Sequence, residues 1–335
     1  MVKNIKNGLK AGILFSRKIN KHIFLTRIAV KAAGFNAAIS PTIFKLPFLR
    51  YCNGGQQQIF LLPKSSTMKS IFCAAIVTVV FGFHSCKTVP VTGRKQLNLV
   101  PNALITSMAF TAYDSVVKTS ATLSQADTRA QMVTRVGSRI QQAVETYMQQ
   151  NNMSKELKGF KWEYNTINDN TINAWCMPGG KVVVYTGLLP ITQNETALAV
   201  VLGHEIAHAI ARHGNERMSQ ALMIQLGGLV LEEALKEKKE QTQLLFLGLY
   251  MAGANLAYAL PNSRLQENEA DKLGLIFAAM AGYDPAEAIP FWQRMAANNK
   301  TKIPQFLSTH PSDETRIKKL SELIPEIKTK YYKGN

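Results

Sequence analysis

Residues Thr196–Ala211 read TALAVVLGHEIAHAIA. Apart from Thr196, His204, Glu205 and His208, every residue in this stretch is Ala, Val, Leu, Ile or Gly. A helix this apolar all round belongs inside a core. Yet its middle carries His204-Glu205-Ile206-Ala207-His208, the pattern H-E-x-x-H. On a helix, positions i and i+4 share one face, a turn apart. Two imidazoles so placed converge on one Zn²⁺ at about 2.0–2.1 Å. Glu205, next to the first ligand, reaches a water on the metal in place of the metal itself. Its task there is general base: it takes the water's proton and passes it to the leaving amine of a peptide bond. Burying two His and a Glu in so apolar a helix is costly without a partner, and a metal ion is the simplest one.

A catalytic zinc takes a third protein ligand and keeps a fourth position open. A third His six residues after His208 is excluded, because position 214 is Gly. His213 falls one residue short of that spacing and reads as structural or as a support behind a ligand. A Glu on a later helix, backed by an Asp one turn on, is the other arrangement. Glu232 and Glu233 stand at a suitable distance along the chain, but Lys236 and Glu237 follow them at i+4. Glu267 fits better, since Asp271 lies four residues on in Glu267-Asn268-Glu269-Ala270-Asp271. Asp271 would then hold a ligand imidazole through its other N–H. Glu269 points about 200° away from Glu267 on a helix and is expected to meet solvent or an Arg.

Upstream, Lys87–Pro101 (KTVPVTGRKQLNLVP) reads as an extended tether. Helices are expected at Leu104–Val117 and Gln125–Gln149, the latter from Met132, Val136, Ile140, Ala143, Val144 and Tyr147 at three- and four-residue steps. Alternation of Phe160, Trp162 and Tyr164 with charged residues predicts a strand, and Ile172–Met177 and Lys181–Tyr185 predict two more around a turn at Pro178-Gly179-Gly180. Downstream the pattern is helical: Glu195–His213, a hairpin of Met218–Lys236 and Thr242–Leu260, then Arg264–Ala281 capped by Ser263 after a break at Pro261, Pro285–Asn299, and a last helix capped by Ser312. Gln241–Ser263 carries no charge. It reads as a helix packed in the core in preference to a hairpin dipping into a membrane.

The net charge of +17 in 335 residues comes mostly from one end. Met1–Ser85 holds 12 Lys/Arg and no acid, leaving 27 of the 39 basic residues against 22 acids for the remainder. Such a leader argues for targeting and against nucleic acid as a partner. Within it, Met68-Lys69-Ser70, the apolar Ile71–Phe83 and His84-Ser85-Cys86 have the layout of a secretory signal, residues 68–85, with Cys86 placed for lipidation as in a bacterial lipobox. Thirteen apolar residues are too few to span a bilayer, which takes about 20. Residues 1–67 read as a start called too early, or alternatively as a mitochondrial presequence. Residues 86–103 are then a lipidated Cys and tether, and 104–335 one domain. With 1–85 removed and Cys86 lipidated, Cys176 is the one free thiol.

Three segments in this order, HEIAH (204–208), SRLQENEAD (263–271) and STHPSDETR (308–316), resemble the zinc metallopeptidases of peptidase family M48, a gluzincin family. NAWCMPGGKVVVYTGLL (173–189) is similar to that family's active-site strand segment, and VPVTGRKQLNLVP (89–101) to the tether of its lipoprotein members. The resemblance implies one Zn²⁺ held by His204, His208 and Glu267, Glu205 as the catalytic acid-base group and Asp271 behind a ligand. It implies further that His310 lies over the zinc, as oxyanion stabiliser or removable lid. The expected fold is α+β: mostly helical, with a small sheet of about three strands beside the H-E-x-x-H helix. Gly179, Gly180, Lys181, Val182 and Val183 would offer an open edge where an extended substrate adds as a strand. That suits unfolded or misassembled proteins of a bacterial envelope, with the membrane reached through Cys86. The alternatives are a chaperone-like protein with a mostly latent zinc site and a mitochondrial stress protease. The oligomeric state is left open.

Overall fold

The chain forms, in order, β1 (Cys86–Thr88), β2 (Lys95–Leu97), α1 (Asn102–Thr119), α2 (Thr128–Gln150), β3 (Glu163–Ile167), β4 (Ala174–Met177), β5 (Lys181–Tyr185), α3 (Glu195–Ile210), α4 (His213–Leu235), α5 (Glu240–Ala254), α6 (Leu260–Met280), α7 (Ala288–Ala297) and α8 (Glu314–Tyr331). A single helical turn, Gln305–Thr309, precedes α8. This computed structural model describes residues 86–255, 260–298, 304–310 and 314–334, all within one compact unit, Ser65–Asn335. The leader, the signal-like segment 68–85 and the expected Ser312 cap lie outside the described residues. The α+β expectation, mostly helical with a three-stranded sheet, matches this architecture.

The sheet order is β3-β5-β4, with β3 parallel and β4 antiparallel to β5. Its register pairs Tyr164 with Val182 and Cys176 with Val182 from opposite sides. Thus Lys181–Tyr185 is the central strand, and the expectation of an open edge at Lys181, Val182 and Val183 is corrected. Three consecutive valines, all buried, are what a strand covered on both faces requires. Val182 and Val184 join the main core, while Val183 packs with Tyr113 of α1 and Ile167. Gly179 and Gly180 are likewise not an edge. Both sit at positive φ, 91° and 84°, and close the β4–β5 turn. Among the described residues, the strand with an unpaired side next to α3 is β4. The outer side of β3 is partly covered by a bridge from Thr122 to Ile167.

Strand β3 starts three residues later than the aromatic alternation predicts. Phe160 and Trp162 stand against Gly180, and the left-handed turn opposite them interrupts the regular ladder. The main core gathers Val136, Ile140 and Val144 of α2, most of α3, and Leu273, Ile276 and Phe277 of α6. Helices α3 and α6 touch backbone to backbone at Gly203 and Gly274. A Cβ on Gly274 would fall 2.7 Å from the His204 amide nitrogen, and one on Gly203 2.6 Å from the Gly274 carbonyl oxygen. Only glycine permits that approach.

Several helices differ from expectation in a boundary or in their cover. Helix α3 starts at an Asn194 cap, whose side chain accepts from the Ala197 N–H at 2.8 Å. It ends at Ile210, because Arg212 adopts φ 58° and turns the chain into α4. Helix α6 begins at Leu260, so Pro261 is a first-turn residue and Ser263 is not the cap. First-turn N–H groups need no helical partner, which makes Pro tolerable there. Finally, α5 is not core: it has no buried residue, and Leu245, Phe246 and Leu249 are 59%, 48% and 60% exposed. It packs chiefly on α4. No described helix is long and apolar enough to cross a membrane.

Candidate metal centre

Helix α3 presents His204 and His208 one turn apart, and α6 brings Glu267 alongside through the glycine contact. The two His Nε2 atoms are 3.1 Å apart. Glu267 lies 3.4 Å from His204 Nε2 and 3.3 Å from His208 Nε2. From the turn before α8, His310 Nδ1 comes within 3.1 Å of His204 Nε2 and 3.0 Å of Glu267 Oε2. The four side chains are buried, and one donor atom of each lies within 4.8 Å of all the others. Donors at about 2.0–2.1 Å from a tetrahedral zinc stand about 3.3 Å apart, so this group fits that ion.

The surroundings fix the ligand rings. Asp271, one turn after Glu267, approaches His204 Nδ1 at 3.0 Å. This places the His204 proton on Nδ1 and leaves Nε2 to the metal. Arg316 of α8 grips both Asp271 oxygens, at 2.9 and 2.6 Å, and lies over the Trp292 ring at 3.7 Å. Burial raises the Asp271 carboxyl, but Arg316 and His204 outweigh it and hold the group below its ordinary value. Burial likewise opposes charge on Glu267, and the three imidazoles facing it, His204 first, reverse it, far below the usual carboxylate range. Burial lowers His204, yet Asp271 and Glu267 prevail and lift it to about 9. Burial pushes His208 well below its ordinary value. Metal-free, the cluster thus holds a proton that a cation must displace.

Glu205 faces the same centre. Its Oε1 is buried with no hydrogen-bond partner, and His310 Nε2 lies 3.3 Å away, out of alignment. An unmet buried carboxylate oxygen costs about 1–3 kcal/mol or more, which a reacting proton would relieve. Cys176 of β4 is not among the converging donors; burial and then the Glu205 charge push its thiol above the ordinary value.

The match to known proteins spans this whole site. The model of peptidase family M48 aligns with residues 135–324, more than half of the chain. This chain belongs to peptidase family M48. Mitochondrial metalloendopeptidase OMA1 of Schizosaccharomyces pombe is 33% identical over 273 residues, which is 80% of this chain and 75% of that protein. The bovine metalloendopeptidase OMA1 is 30% identical over 260 residues, 75% of this chain and 48% of its own. A beta-barrel assembly-enhancing protease of Yersinia pestis is 31% identical over 160 residues, 45% of this chain and 32% of its own. The chain therefore spans half or less of several of its relatives. As an M48 peptidase it is a zinc metalloendopeptidase.

Of the expected site residues, His204, Glu205, His208, Glu267, Asp271 and His310 lie together, whereas Gly179–Val183 form the turn and central strand away from an edge. Glu232 and Glu233, on the far part of α4, are exposed and outside the cluster. Glu269 meets an Arg as expected but not solvent: it is buried against Arg94 and His213. Arg316 carries no signal of its role in the sequence beyond ending the STHPSDETR segment, and the glycine contact carries little more: its sole trace is a Gly directly before the first ligand.

Proposed function

We propose that this M48 peptidase is a membrane-tethered zinc endopeptidase for misfolded or misassembled proteins, with His204, His208 and Glu267 as the protein ligands. When bound, the ion supplies Lewis acidity, polarising a carbonyl and making water a nucleophile near neutral pH. Glu205 Oε1 accepts the proton as the water oxygen adds to the carbonyl carbon. It delivers that proton to the amide nitrogen as the C–N bond breaks. Asp271, steadied by Arg316, keeps His204 oriented throughout. The observation that carries this reading is the unmet buried Glu205 Oε1 beside four converging donors. Casein cleavage by the wild type, abolished by Glu205→Gln with zinc content intact, tests it.

Substrate selection follows from β4. Its unpaired side flanks α3, so an extended peptide adds there as a further strand, held by backbone bonds that ignore side-chain identity. Unfolded segments meet that demand, and folded ones do not. The likeness to a relative named for beta-barrel assembly supports misassembled envelope proteins as substrates, and the signal-like segment before Cys86 supports Cys86 as the lipid attachment.

Two observations favour variants of this reading. The long match to proteins named mitochondrial supports a mitochondrial location, with residues 1–67 as presequence. Intact-mass analysis of the native N-terminus separates the two, by a lipid-modified Cys86 or an unmodified cut. The His310 position supports a latent enzyme: its Nδ1 takes the place of a fourth ligand, where water and substrate must enter. His310→Ala then raises basal proteolysis, whereas a fall would assign His310 to the oxyanion.

A further inference from the structure

His208 has a second partner behind it. Its Nδ1 faces His213 Nδ1 at 2.8 Å, and His213 Nε2 faces Glu269 Oε2 at 2.9 Å. His213 is wholly buried, so both of its ring nitrogens are spent on these two contacts. Proton placement along the chain follows from the acceptors. A carboxylate accepts only, so His213 puts its proton on Nε2, toward Glu269. His213 Nδ1 is then a lone pair, so His208 donates to it from Nδ1, at 2.8 Å, in preference to donating from Nε2 to Glu267, at 3.3 Å. This leaves His208 Nε2 bare, which is the state a metal needs.

The far end of the relay is fixed by the hairpin in which β1 and β2 pair antiparallel, with Thr92 and Arg94 in its turn. Glu269 accepts from the Thr92 hydroxyl and from Arg94 Nε at 2.9 Å. Arg94 also spans both oxygens of Glu216, one turn beyond His213, at 2.8 and 2.7 Å. Gln266 donates to the same Glu216 at 2.8 Å. Arg94 therefore ties α4 to α6, the helices that carry His213 and Glu267. Val89, 1% exposed, seats the hairpin in the main core. A buried ion-pair network of this kind adds little stability against an apolar replacement, because desolvation offsets the Coulomb gain. Orientation is what it supplies.

We propose that β1–β2 is part of the metal-binding machinery: Thr92 and Arg94 hold Glu269, Glu269 holds His213, and His213 holds the His208 ring with Nε2 toward the ion. The proposal rests on His208 being a zinc ligand. His213, Glu269 and Arg94 are positioning residues, touching neither metal nor substrate.

The test uses the full chain and zinc alone as probe, measuring affinity by chelator competition and the His208 tautomer by ¹⁵N NMR of the metal-free, histidine-labelled protein. Wild-type His208 should show Nδ1–H. His213→Phe, which keeps the ring shape without its nitrogens, should weaken zinc binding about 10- to 100-fold and bring up an Nε2–H population. His213→Gln, which retains a donor and an acceptor, should restore part of both. Arg94→Met should move both readouts the same way by a smaller factor, and it carries the test if His213→Phe fails to fold. Unchanged affinity and tautomer in whichever of these variants folds overturns the proposal, as does an Nε2–H tautomer in the wild type. His208→Ala separates the two layers. If it binds zinc like the wild type, the metal-centre reading falls. If it loses zinc while the His213 and Arg94 variants do not, only the relay falls.

Discussion

Helices α3 and α5 read alike as sequence and differ in structure. Each is a run of apolar residues with little amphipathic periodicity. In α3, every residue from Ala197 to Ile210 is buried, under the sheet on one side and α2 and α6 on others. In α5 none is buried, and its chief neighbour is α4. The difference teaches that an apolar run states a demand for cover and not that cover exists. Where cover is complete, polar groups become expensive, and those that remain are gathered around one centre. Where cover is missing, a polar substitution meets little resistance.

The largest expected effect lies at the covered pole. Glu205→Gln should lower kcat about 10²–10⁴-fold while zinc content stays at one per chain, read by proteolysis and metal analysis in parallel. Loss of zinc in that variant would show that Glu205 is a ligand and not the base. Glu267→Ala should go the other way, with zinc largely lost by metal analysis. Full metal retention there would remove α6 from the site.

Packing gives the next effect. Gly274→Ala places a methyl group against the His204 backbone and should cost about 1–3 kcal/mol in denaturant unfolding. An unchanged midpoint would mean the two helices part without penalty. The metal-free protein should also show a pH signature. His204 is raised from 6.5 to about 9, so the stability it contributes is complete below about pH 6.5 and is lost as pH rises toward 9. Melts of chelator-treated protein across that range should fall, and zinc should flatten the fall; a level profile without zinc would contradict the proton assigned to His204. The smallest effect belongs to α5. Leu249→Gln should alter stability by no more than about 0.5 kcal/mol. A loss of several kcal/mol would show that this helix is covered after all.

The site was more legible than the surfaces around it. His204, Glu205 and His208 announce themselves because their spacing matches a helical turn and their setting is otherwise apolar. Glu267 could be preferred over Glu232 and Glu233 because an Asp follows it by one turn. Strand Lys181–Tyr185 was bounded correctly by its valines, but its place in the sheet was not, since pairing partners leave no mark on a strand's own sequence. His213 was legible in part: its place near the motif suggested a support behind a ligand, but not which ligand it backs. Its role depends on the left-handed Arg212, which ends α3 early and folds the ring back onto His208. Unlike Gly or Asn, an Arg gives no sign of such a turn. Helix α5 misled for the opposite reason: hydropathy records what a segment would bury, and burial is decided by distant parts of the chain.

The glycine contact between α3 and α6 has a consequence for how this scaffold can change. The two ligand-bearing helices are locked together at their crossing, so the long excursion through α4 and α5 leaves and rejoins the molecule at points already pinned. Beyond the first turns of α4, that arm can be shortened, extended or exchanged as a graft without retuning the grip on the ion, which frees it to diversify while the chemistry stays in place.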